Sequence, residues 1–214
     1  MILNKRFKLL LNVLAPVAIL LIVGFICFKN YSPGTMLLGW DSLHPEFNFS
    51  LAVKRAFFGV WREEQGLGAV AAHSHMADLP RIILLWLSSL VLPLSFLRYF
   101  FIFLCLVLGP LGVYFFIDYV LEKKSFFLKL AAFVASVCYL LNLITLQHFF
   151  VPFEMFCVQY AFLPFLILFA VKFFKEGGRR NILILSLFTL LSSPMAYAST
   201  LYWAFLVAFI LFLK

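Results

Sequence analysis

Residues Ile82–Leu97 read IILLWLSSLVLPLSFL and stand between Arg81 and Arg98. Whether this run crosses a membrane decides on which side everything downstream lies. It holds 16 residues and Pro93 interrupts it. A helix needs about 20 apolar residues to span the hydrocarbon, and shorter runs are often interfacial or re-entrant. The flanking charge supplies a second test, because short cytoplasmic loops collect Lys and Arg. If the run does not cross, Lys5, Arg6, Lys8, Lys123, Lys124, Lys129, Lys172, Lys175, Arg179, Arg180 and Lys214 share one side, eleven basic residues facing three acids. The other side then holds six basic residues and six acids. If the run does cross, the clusters at 122–124 and 172–180 change sides and the bias is lost. The sequence therefore predicts that Ile82–Leu97 enters the membrane and returns to the outer face.

Composition supports a lipid setting for the whole chain. Hydrophobic residues make up 65% and charged ones 12% of 214 residues, against about half and about a quarter in soluble domains. The net charge of +8 is spread in short clusters between apolar runs, not along one stripe, so nucleic acid is not an expected partner. Cys27, Cys105, Cys138 and Cys157 all sit in apolar runs. They read as small buried hydrophobes, with no disulfide framework or zinc spacing.

Upstream, Leu9–Phe28 is long enough for one crossing and follows Lys5, Arg6 and Lys8. It lacks the small-residue cleavage site of a signal peptide, so it predicts an uncleaved first helix with a cytoplasmic N-terminus. Downstream, 99–121, 126–145, 153–174, 182–191 and 201–213 are further apolar runs. The expectation is an all-α integral membrane protein of the cell membrane with about six transmembrane helices. A large outer loop adds an interfacial helix and a short membrane-embedded helix. The chain divides into a first span (1–28), the outer loop (29–98) and a helical membrane bundle (99–214).

The outer loop carries most of the polar chemistry. Between Lys29 and Arg81 lie five of the nine acids and three of the four histidines. Pro45 to about Glu63 predicts a helix, capped by Ser42 or His44, with Phe47, Leu51, Phe57, Phe58 and Trp61 on a face suited to the interface. Asp41, just past the first span, suits a general base or a cation ligand, and equally a helix cap. Glu154 opens a span with no nearby cation in sequence. It is either a functional acid or a first-turn residue favoured by the helix dipole. His148 lies beside it in the outer loop 147–154. His73 and His75, with Asp78, form a weak metal pattern, and solvated loop histidines are the commoner case. Arg81 and Arg98 are either interfacial anchors or a fork for a lipid phosphate. No Walker loop, zinc-protease helix or Ser-His-Asp order is present.

This layout resembles the GT-C class of membrane glycosyltransferases, which includes protein mannosyltransferases, the lipid A aminoarabinose transferase and mycobacterial arabinofuranosyltransferases. The likeness is nearest to the last group, through Trp61-Arg62-Glu63-Glu64-Gln65-Gly66-Leu67-Gly68 and Asp78-Leu79-Pro80-Arg81. It implies an inverting transfer from a polyprenyl-phosphate-linked sugar to a glycan, lipid or protein acceptor. Asp41 matches the catalytic acid of the first outer loop. Glu154 matches the acid that helps bind donor phosphate or a divalent ion such as Mg or Mn. Class members carry a second acid where this chain has Ser42, and further spans beyond the position of Lys214, so the resemblance implies an N-terminal portion of a longer protein. A multi-pass transporter or flippase, and a non-catalytic membrane subunit, are the alternatives.

Overall fold

The structure is a computed structural model that describes residues 5–39, 44–58, 61–62, 68–70, 76–121, 125–198 and five positions between 202 and 210. It is helical apart from one antiparallel pair of two-residue strands, β1 (Trp61–Arg62) and β2 (Ala69–Val70). The helices are α1 (Lys5–Asn30), α2 (Phe49–Phe58), α3 (Leu79–Ser88), α4 (Leu94–Val120), α5 (Phe126–Leu140), α6 (Leu143–Phe150), α7 (Glu154–Glu176) and α8 (Arg179–Leu191). Short 3-10 turns form at Pro45–Phe47 and Ser193–Tyr197.

Among the described residues, three helices are long and apolar enough to cross a membrane: Val13–Asn30 of α1, α4 and α7. A fourth crossing results if α5 and α6, bent by 46° at their junction, count as one span. Six spans are expected from the sequence; the described residues hold three or four of them. Helix α8 has only 13 residues, about 20 Å at 1.5 Å each, against roughly 30 Å of hydrocarbon. Most of 201–213 lies outside the described residues.

The expected span 126–145 breaks for a local reason. The Asn142 side chain accepts a hydrogen bond from Thr145 N at 2.9 Å, which caps α6. Asn142 Nδ2 and Thr145 Oγ1 both donate to the Tyr139 carbonyl at 2.7 Å. A residue that satisfies both a helix end and a helix start stabilises the bend between them. The interfacial helix expected over Pro45–Glu63 is likewise shorter. Asn48 Oδ1 accepts from Leu51 N at 2.9 Å, so α2 starts after its own cap and the 3-10 turn before it is separate.

Ile82–Leu97 forms no single helix long enough to span a membrane. Helix α3 is ten residues long, about 15 Å, and a turn through Pro93 leads directly into α4. The two ends of the bundle follow from contacts. Tyr31, past the end of α1, packs edge-on against Phe96 and Tyr99 at the start of α4, with centroids 5.2 and 5.1 Å away. At the opposite end, Lys129 at the start of α5 pairs with Asp118 of α4. There too Tyr119 donates to Glu176 at 2.8 Å. Helices α4 and α7 therefore run one way, and α1 and α5 the other. The end of α1 and the start of α4 share one end, as a non-crossing 82–97 requires.

Two apolar clusters join the helices. Leu97, Phe101, Ile102 and Cys105 of α4 meet Cys157, Val158 and Ala161 of α7, Leu85 of α3 and Met195. Ile19 and Val23 of α1 meet Leu106 and Tyr114 of α4, Ala132 of α5 and Tyr160 of α7. Large apolar side chains also stand on the outside of the bundle. Val91, Leu143 and Phe150 are 86%, 83% and 81% exposed. A water-soluble protein rarely leaves such broad apolar surface uncovered, whereas lipid accepts it, and the chain is read as a membrane protein.

Candidate functional site

At the end where α4 and α7 begin, charged side chains from four elements meet out of solvent. Asp78 stands at the N-cap of α3 and Arg81 three residues on, so both lie on one side of its first turn. Arg98 sits one turn into α4, Glu154 opens α7, and Glu46 lies in the 3-10 turn. Arg81 and Arg98 are each 3% exposed and Glu154 5%.

The contacts form a chain. Arg81 donates to both oxygens of Asp78, from Nε at 2.7 Å and from Nη2 at 2.6 Å. Its Nη1 reaches Glu154 Oε1 at 3.3 Å. Arg98 Nη2 pairs with the same Glu154 oxygen. Arg98 Nη1 lies 3.8 Å from Glu46 Oε1 and 2.8 Å from His44 Nδ1. His44 Nδ1 is in turn 2.9 Å from Glu46 Oε1. Burial alone would pull the Arg81 guanidinium below its ordinary value. Asp78, its bidentate partner, with Glu154 and Glu46, holds it above that value instead. Arg81 is therefore a permanent cation.

The secondary structure explains the signs. Two helix N-termini, of α4 and α7, end here, and the partial positive charge of a helix start favours a carboxylate. Glu154 takes that position. Arg98 opposes it, and only the carboxylates around it make a guanidinium tolerable at this depth. The balance is incomplete. Buried Arg98 Nε and Glu46 Oε2 have no hydrogen-bond partner, although buried polar atoms nearly always do.

Four residues singled out in the sequence thus converge: Asp78, Arg81, Arg98 and Glu154. Asp41, His73 and His75 lie outside the described residues. His148 is placed apart from the network, its ring against Phe156 at 5.0 Å and its Nδ1 buried without a partner. The sequence reading missed Glu46 and treated His44 only as a cap. Their signal was weak: a His-Pro-Glu turn inside a loop of mixed charge. Among the described residues no three His, Cys, Asp or Glu side chains group as metal ligands. Glu154 Oε1 is also taken by two guanidiniums.

Two cavities adjoin this end. One, of about 210 Å³, is lined by His44, Asn48, Arg55, Asp78 and Ile82, with apolar groups of the 3-10 turn and α2. The other, of about 540 Å³, is an apolar groove between α1, α4 and the α5–α6 bend, lined by Leu37, Tyr99, Ile102, Leu106, Leu140 and Phe149 among others. Tyr99 is the immediate neighbour of Arg98 in α4. Comparison of the chain with family models, with curated proteins and with solved structures yields no match to any of them.

Proposed function

We propose that this chain is a membrane glycosyltransferase acting at the outer face of the cell membrane. It moves a sugar from a polyprenyl-phosphate donor to an acceptor hydroxyl. The observation that carries the reading is the buried pair of guanidiniums, Arg81 and Arg98, held on Glu154 at the membrane end of two spans. A phosphate at the head of a lipid is the anion such a fork suits. The adjoining apolar groove gives the tail a place beside it.

In this reading Asp41 removes the acceptor's proton. The acceptor oxygen attacks the anomeric carbon, the bond from that carbon to the phosphate oxygen breaks, and the lipid phosphate leaves with the electron pair. The arginines offset the charge that develops on the leaving group. Transport is the lesser reading, because it calls for ionisable groups near mid-membrane. Here the ion pairs of the described spans gather at the two ends.

The test is turnover in proteoliposomes, with the purified chain given polyprenyl-phosphate-linked arabinofuranose, mannose or aminoarabinose and release of polyprenyl phosphate measured. One donor should turn over, Asp41→Asn should abolish release, and Arg98→Lys should reduce it by about tenfold or more. An Asp41→Asn variant at the full rate would remove Asp41 as the base. No turnover with any donor would sink the transferase reading.

A further inference from the structure

The end of the bundle opposite the Arg81–Glu154 network carries charge of its own. Residues 172–180 read KFFKEGGRR and hold four cations, Lys172, Lys175, Arg179 and Arg180, against one acid, Glu176. Helix α7 ends at Glu176 and α8 starts at Arg179. Between them Gly177 and Gly178 take positive φ values of 65° and 90°, which glycine adopts without strain. Helix α8 then folds back along α7, where Phe188 stacks on Phe165 at 4.8 Å and on Phe169 at 5.3 Å. All four cations are thereby gathered at one turn.

The acid does not neutralise them. Lys172 lies one helical turn before Glu176, a spacing at which Lys and Glu ordinarily pair. Here neutral groups hold Glu176 instead. Tyr119 of α4 donates to its Oε1 at 2.8 Å, and Asn181 Nδ2 lies 3.5 Å from its Oε2. Lys172 and Lys175 stand over the Tyr119 ring, 4.9 and 5.9 Å from its centroid. Arg179 and Arg180 are exposed, and among the described residues no carboxylate pairs with either of them or with Lys172. Cations at a helix start oppose its dipole, so their placement brings α8 no electrostatic gain. Exposed apolar side chains, Phe174, Ile182 and Leu183, flank the charges. Cations beside exposed apolar groups, at the end of a helix long enough to span, suit the phosphate layer of a bilayer.

We propose that the α7–α8 turn binds the headgroup of an anionic phospholipid, with Arg179 and Arg180 on its phosphate and the two lysines beside it. The guanidinium fork suits a pair of phosphate oxygens. A zwitterionic lipid brings its own ammonium to the same place and gains less from four cations. Phe174, Ile182 and Leu183 give the acyl chains an apolar seat. The turn needs nothing from the Arg81–Glu154 end for this.

The test is equilibrium binding of radiolabelled phosphatidylglycerol and phosphatidylcholine to the full chain in a non-ionic detergent. Phosphatidylglycerol should bind about tenfold tighter, the scale expected when two or more cations face an anionic headgroup. Raising the salt from about 0.05 M to about 0.5 M should shrink that preference, because exposed charges are screened. The double variant Arg179→Gln, Arg180→Gln should bind both lipids at the weaker level. Lys54→Gln, which removes one exposed cation at the other end, should keep the preference. Glu176→Gln should bind phosphatidylglycerol at least as tightly as wild type, a result that poor folding cannot produce. Equal affinity of the wild type for the two lipids, or an undiminished preference in the double variant, overturns the proposal. So does weaker binding by Glu176→Gln, or a preference lost in Lys54→Gln. Inorganic phosphate that displaces the lipid at equal concentration would make the turn a site for a free anion and overturn the lipid assignment.

Discussion

Glu154 shows how much one residue can hold. Its Oε1 faces guanidiniums from α3 and α4 at once. Glu154→Gln would leave two buried cations sharing Asp78 and Glu46. Breaking a buried pair by removing one partner costs about 3–5 kcal/mol, and thermal unfolding in detergent should show a loss of that order. Apolar residues of similar volume in place of the whole group would often be neutral for stability. Stability alone therefore gives no reason to keep five charges in this place, which is why the network is read as a site and not as a brace. The pair at the other end is different. Asp118 remains about a third exposed while Lys129 is buried, and its loss should cost less than that of Glu154.

At the scale of the element, α4 and α7 approach closely because α4 carries Gly109 and Gly112. A Cβ on Gly109 would lie 2.2 Å from Tyr160 Cε1, and one on Gly112 would lie 2.9 Å from Phe165 Cε2. Small residues at such crossings are how spans pack without a hydrophobic driving force between them. Gly109→Ala should therefore destabilise by about 1–3 kcal/mol, the usual cost of overpacking. Gly24 of α1 has nothing within 4 Å of its would-be Cβ, so Gly24→Ala should leave the melting temperature unchanged or slightly raised. Equal losses at both positions would mean that glycine itself, and not the crossing, matters. The Tyr160 ring that fills this space also stacks on Tyr139 at 4.6 Å. One glycine thus sets the contact among α4, α5 and α7.

For the whole molecule the arrangement of ends predicts a labelling pattern. With the four native cysteines replaced, Ser50→Cys in α2 and Ser125→Cys at the start of α5 lie at opposite ends of the bundle. An impermeant thiol reagent should reach Ser50→Cys in intact cells and Ser125→Cys only after permeabilisation. Labelling of both from outside would mean that the two ends do not face opposite sides.

The expectation of this pattern comes from the sequence, because hydropathy and the clustering of Lys and Arg are local properties of the chain. They foretold a helical protein with apolar spans and that Ile82–Leu97 is too short and broken to form one long helix, and they singled out Arg81, Arg98 and Glu154 as charges that would need partners. They missed the break inside 126–145, a run that looks continuous until Asn142 caps a second helix within it. They could not foretell the partnership. Arg81 and Glu154 are 73 residues apart in sequence, and no spacing rule links a loop arginine to a later helix start. That contact exists because α3 lies across the bundle end where α4 and α7 both begin, and because buried charges must find opposite charges wherever the packing brings them. The sequence determined which groups could not remain in lipid alone; only the tertiary structure decided which of them would neutralise one another, and that His44 would stand between Glu46 and Arg98.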